Sequence, residues 1–146
     1  MLELELPQPF TALSHTADAG VEVRGATAAE ALARLVLAYA QLVTGGGAVD
    51  REVERDLTLP GGAGLAVLAV DVVRAAHQLW VLERLVPAVV AVLELDEQGA
   101  RLRLGLGSYV PERHGEGLDV KAITYHAARL APEPDGSWVA RVIVDI

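Results

Sequence analysis

The sequence predicts an α+β fold, a two-layer arrangement in which two helices cover a largely antiparallel sheet. Three observations lead to that reading. Apolar residues alternate with polar ones over several short stretches, as one-sided strands require. They recur at helical spacing over two longer stretches, and glycine, proline and acidic turn residues separate all of these without a long linker. With 146 residues, 52% of them hydrophobic, the chain is long enough to bury one core and short for two, so residues 1–146 are expected to form a single domain.

Leu2, Leu4 and Leu6 alternate with Glu3 and Glu5 until Pro7 and Pro9 stop the pattern, which limits this stretch to a short or edge strand. Val21 and Val23 alternate with Glu22 and Arg24 and end at Gly25. Thr27 and Glu30 then stand at capping-box spacing, where each side chain can satisfy a free backbone N–H at a helix start. Ala31, Leu32, Leu35, Val36, Tyr39, Leu42 and Val43 follow at helical spacing, and the glycines at 45–47 supply the stop. Glu52 to Leu57 reads as a half-buried strand broken by Pro60, Gly61 and Gly62. Leu65, Leu68, Ala69, Val72, Val73, Ala76, Leu79 and Trp80 predict a second amphipathic helix ending before Pro87, with Asp71, Arg74 and His77 on its polar side. Val89 to Leu95 and Ala100 to Leu106 predict a hairpin turning through residues 96–99. A polar loop from Ser108 to Asp119 follows, and the chain closes with strands over Val120 to Leu130 and Trp138 to Ile146.

Acidic residues outnumber basic ones by 20 to 12, for a net charge of −8 and a pI near 4.9. Such a field repels a phosphate backbone, so direct binding of nucleic acid is not expected. The absence of cysteine excludes disulfides, thiolate zinc sites and cysteine nucleophiles. The N-terminus is acidic where a secretory signal is basic, and charges and Pro87 interrupt the apolar run from Leu65 to Leu93. Neither export nor membrane contact is therefore expected, and the cytoplasm is the expected location. Gly105 and Gly107 lack the following lysine of a phosphate loop. Trp80 and Trp138 read as core or rim aromatics, and His77 as a surface or boundary histidine.

Two acidic positions at opposite ends of the chain stand out. Asp18 follows His15 and Thr16 just ahead of a strand, and Asp145 is next to last, sharing a strand face with Ile143, Arg141 and Val139. An acid at a frayed strand end is ordinarily just solvated. The sharper reading is that Asp18, Asp145 and the carboxylate of Ile146 converge on one cation, which would relieve their mutual repulsion. Hard oxygen donors favour Ca²⁺, Mg²⁺ or Mn²⁺, and His15 would widen the choice to Zn²⁺. His126 reads first as a boundary residue of its strand and second, with His15, as a further contact to the metal or to a partner.

The stretches HTAD at 15–18 with Gly20 following, VKAITYH at 120–126 and W-x-A-R-V-I-V-D-I at 138–146 resemble, in order and spacing, the archease family. The resemblance implies a strand-helix-strand-strand fold with a second such unit nested in it. It implies a small accessory protein, not itself an enzyme, that activates the RtcB-type RNA ligase of tRNA splicing and RNA repair by promoting its guanylylation and multiple turnover. It places a divalent ion, commonly calcium, on Asp18, Asp145 and Ile146, and gives Lys121 a part in activation. Lys121 is the only lysine among the 12 basic residues, which suits a role for a flexible point charge. The chain departs from many relatives in reading Val72-Val73-Arg74-Ala75 where they carry Trp-Leu-Asn-Glu, Ser108 where they carry Glu, and Ala19 where Ile or Val is common. The rival readings are a chaperone or protein-binding module whose metal only stabilises the fold, and a metal-dependent hydrolase using Asp18, His15 and bound water.

Overall fold

A computed structural model describes residues 1–14, 18–110 and 117–146. The chain runs β1 (Leu2–Glu5), β2 (Thr11–Ser14), β3 (Asp18–Gly25), α1 (Ala28–Thr44), β4 (Val53–Pro60), α2 (Leu65–Glu83), β5 (Leu85–Asp96), β6 (Gly99–Ser108), β7 (Ala122–Pro132) and β8 (Trp138–Asp145). The strands are antiparallel, as expected, and are shared between two four-stranded sheets, ordered β1-β5-β6-β4 and β2-β3-β8-β7. The unit β4-α2-β5-β6 thus sits inside a second unit made of β3, α1, β7 and β8, which is the nested pattern.

Local chemistry sets the element ends. Thr27 caps α1 by accepting from the Glu30 N–H at 3.1 Å, and the Glu30 carboxylate reaches back to the N–H of Ala26 at 3.2 Å. Gly45 closes the helix in the left-handed region with φ 73°, which glycine adopts without steric cost. β1 lies at a sheet edge, where Leu2 and Leu4 turn inward and Glu3 and Glu5 face solvent. β5 begins earlier than alternation suggests because Leu85 to Val92 are buried on both faces of a central strand. A register shift between Pro87 and Val89 accommodates the proline's missing donor.

α1 contacts β3 and β8 of one sheet and β1 and β5 of the other. Leu35, Val36, Leu37 and Ala38 are fully buried in succession, so the helix has no solvent face along that turn. α2 is long and apolar enough by length and composition to cross a bilayer, yet Leu68, Ala69, Val70, Val72, Val73 and Ala76 are consumed by packing. It lies mainly along β7, with further contacts to α1, β4 and β5.

His77 departs from the surface or boundary position expected of it: it is 8% exposed, and its Nδ1 lies 2.7 Å from the hydroxyl of fully buried Tyr39. The crossing of α1 and α2 closes over a side chain that the sequence pattern assigns to the polar side. Burial pushes the His77 pKa below its ordinary value, and the backbone of Lys121 opposes that shift. Because the folded pKa lies under the unfolded one, the unfolded chain takes up the proton first. The stabilising contribution is complete above pH 6.5 and is lost as pH falls through the folded value. Urea titrations from pH 7.5 downward are therefore expected to show stability falling more steeply in the wild type than in His77→Gln. The difference should reach at most about 1.4 kcal/mol per pH unit, and parallel curves would show that the imidazole does not contribute.

Candidate metal centre

β3 and β8 are adjacent, and their antiparallel register opposes Asp18 to Asp145 and runs through to Gly25 opposite Trp138. The register follows from one-sided burial. Ala19, Val21 and Val23 on β3 and Ala140, Val142 and Val144 on β8 join the core, and a slip of one residue would turn that set outward. Residues directly opposite in such a ladder project to the same face with Cβ atoms about 4.5–5.5 Å apart. The ladder therefore sets two carboxylates side by side on the outer face, beyond Gly20, Glu22, Arg141 and Ile143.

Asp18 Oδ1 is buried and has no hydrogen-bond partner. A carboxylate oxygen taken from water and set beside a second carboxylate is unfavourable twice over, through desolvation and like charge. A bound cation relieves both, so the donor set fits a hard divalent ion. Asp145 and Ile146 are exposed at the strand end, Ile146 at 36%. Among the described residues no group of three or more His, Asp and Glu side chains is arranged to hold a metal, so a third donor from the described chain would come from the main chain at Ile146. His15 lies outside the described residues.

Lys121 is exposed at the same end, its N–H donating to the Asp145 carbonyl at 2.8 Å, one residue before Ala122 pairs with Asp145. His126 lies further along β7, where the register shifts between Thr124 and Arg129 and Ala127 takes φ 52°. This bulge lets His126 share a concavity of about 490 Å³ with Asp18, together with Leu13, Ala127, Arg141 and Ile143. Gly20, opposite Ile143, leaves room for that lining side chain, since a Cβ there would stand 2.8 Å from Ile143 Cδ1 and 2.7 Å from the Val142 carbonyl oxygen.

Two polar arrangements become visible only in three dimensions. Arg141 donates through Nε and Nη2 to Glu22 Oε2 at 2.7 and 2.5 Å, the two residues being directly opposed across β3 and β8. Tyr125 on β7 donates to Asp71 Oδ1 at 2.6 Å and accepts from Arg74 at 2.8 Å, which ties α2 to the sheet. The sequence signals only that these residues occupy polar positions. Trp80 packs edge-on to Tyr109 and carries the Arg84 guanidinium over its ring, as a rim aromatic would.

The fold and this site define a small α+β protein in which adjacent strands β3 and β8 bring two acidic side chains together as a candidate divalent-ion centre. The archease protein family (MTH1598/TM1083) matches residues 10–146. Protein archease of Methanopyrus kandleri is 33% identical over 141 residues, covering 94% of this chain and 99% of that one. Protein archease of Pyrococcus furiosus is 30% identical over 135 residues, covering 90% and 94%. The solution structure of Methanobacterium thermoautotrophicum protein 1598 superposes with a TM-score of 0.70 at 26% identity, covering 94% and 98%. The chain belongs to the archease family.

Proposed function

We propose that this archease activates an RtcB-type RNA ligase, promoting its guanylylation and repeated turnover in tRNA splicing or RNA repair, as an accessory protein rather than an enzyme. The observation that carries the reading is the pairing of Asp18 with Asp145, with Asp18 Oδ1 buried and unpartnered. Asp18, Asp145 and the main-chain oxygens of Ile146 would hold a divalent ion, Ca²⁺ first among the hard cations and ahead of Mg²⁺, Mn²⁺ or Zn²⁺. When bound, the ion supplies a compact positive charge at an otherwise acidic edge. Asp18 and Asp145 would fix its place, Lys121 would contribute an ammonium from the same end of the sheet, and His126, with His15, would be available to the ion or the partner.

Charge supports the choice of partner. A ligase that holds RNA and a nucleoside triphosphate needs basic surface, and a protein of net charge −8 is steered toward that surface rather than toward the RNA. Its proposed place of work is the cytoplasm, away from membranes. The test is RNA ligation by a cognate ligase under single- and multiple-turnover conditions, with and without this protein. Stimulation confined to multiple turnover and lost on chelation is the expected result, and unchanged turnover would reject the cofactor role.

A further inference from the structure

β7 leaves its ladder at one place. It takes five residue steps from Thr124 to Arg129 while β8 takes two from Ile143 to Arg141, so Tyr125 to Ala128 form a bulge that the register leaves unpaired. Ala127 stands there at φ 52°, a left-handed backbone unfavourable for a residue with a Cβ. A bulge of this kind keeps one aim only if a contact outside the ladder holds it. That contact comes from α2, which lies along β7. The Tyr125 hydroxyl donates to Asp71 Oδ1 at 2.6 Å and accepts from Arg74 Nη1 at 2.8 Å, and the Arg74 guanidinium carbon lies 5.2 Å from the ring centroid. Both hydrogen bonds are charge-assisted, and Asp71 and Arg74 are neighbours on one side of the helix.

Side-chain alternation carries this anchor to the candidate metal centre. Ile123 joins the core and Tyr125, two residues on, reaches α2, whereas Ala122 and Thr124 lie on the outer face opposite Asp145 and Ile143. With Tyr125 fixed on the inner side, His126 projects to the outer one and lines the concavity that also holds Asp18, Arg141 and Ile143. We propose that Tyr125, clamped by Asp71 and Arg74, is a positioning residue that aims His126 at the Asp18 side of the sheet. The inference rests on the reading that His126 serves the ion or the partner. It also gives α2 a part in building the site from behind the sheet.

Tyr125→Phe keeps the ring and removes only the hydroxyl, while Asp71→Ala removes its acceptor. Backbone NMR order parameters of the full chain in chelator read the clamp without any ion. At His126 and Ala127 they are expected near about 0.85 in the wild type and below about 0.6 in either variant, with Val142 unchanged and the double variant no lower than the single ones. Wild-type values in both single variants, or a further fall in the double variant, would overturn the positioning role. With Mn²⁺ as probe, the His126 ring signals are expected to broaden together with the Asp145 amide in the wild type, and the Asp145 amide alone in Tyr125→Phe. Equal broadening of His126 in the two proteins would equally overturn the aim assigned to Tyr125. An Asp145 amide that Mn²⁺ leaves sharp would instead reject the metal centre, with the order parameters still deciding the clamp. With a cognate ligase, Tyr125→Phe is expected to lose as much multiple turnover as His126→Ala. Full activation by His126→Ala, alongside the expected order parameters, would uphold the clamp and reject the functional reading of His126.

Discussion

Asp18→Asn is expected to lower the affinity for Ca²⁺ by more than about 100-fold in calorimetry, because outer-shell partners of a bound metal are alone worth about 10–100-fold. Its stability should change sign with the ion. In chelator, an amide opposite Asp145 removes a like-charge cross-strand pair, so the variant is expected to match or exceed the wild type by up to about 1 kcal/mol. With Ca²⁺ at about 100 times the wild-type Kd, the wild type is expected to gain about 2.7 kcal/mol and the variant at most about 0.4 kcal/mol. A variant as responsive to calcium as the wild type would remove the metal centre. The same protein separates the roles of the ion: if folded Asp18→Asn still drives multiple turnover, the ion only stabilises the fold, as the chaperone or binding-module reading holds.

Substitution on opposite sides of α1 should be equally damaging. Leu35 and Leu37 are two residues apart, about 200° around a helix, and both are fully buried. A helix lying on a single sheet would expose one of them. Leu35→Ala and Leu37→Ala are each expected to cost about 2–5 kcal/mol in urea unfolding, a large share of the roughly 5–15 kcal/mol that holds a domain of this kind together. Leu82→Ala, at 78% exposure, provides the comparison and should stay within about 0.5 kcal/mol of the wild type. A cost at Leu37 no greater than at Leu82 would mean that α1 is not enclosed.

Elements whose cause is local were legible in the chain. The Thr27–Glu30 box, the left-handed Gly45 and the alternation in β1, β3 and β4 depend on residues a few positions apart, and each forms at that place, although β3 reaches back to include Asp18 and β4 runs on through Pro60. β2 was not legible: Thr11–Ser14 carries one large apolar residue and no alternation, and it exists because β3 offers it a partner. His77 was misread for the same kind of reason. Its position on α2 follows the polar side, whereas its burial comes from α1 crossing over it and supplying the Tyr39 hydroxyl.

The two aspartates show both halves of the division. Residue chemistry singled out Asp18 and Asp145 as acids whose mutual repulsion a shared cation would relieve, and the three family motifs pointed to the same pair. Their meeting was decided by the register of β3 against β8, fixed when alternate valines turned into the core. The sequence by itself determined the helices, their ends, most strands and the candidate acids, because those rest on short-range periodicity and side-chain chemistry. Only the tertiary structure decided that the strands form two sheets around α1, that His77 faces inward, and that Lys121 is held beside Asp145. Each of these depends on contacts between segments far apart in the chain, where burial rather than local preference selects the partner.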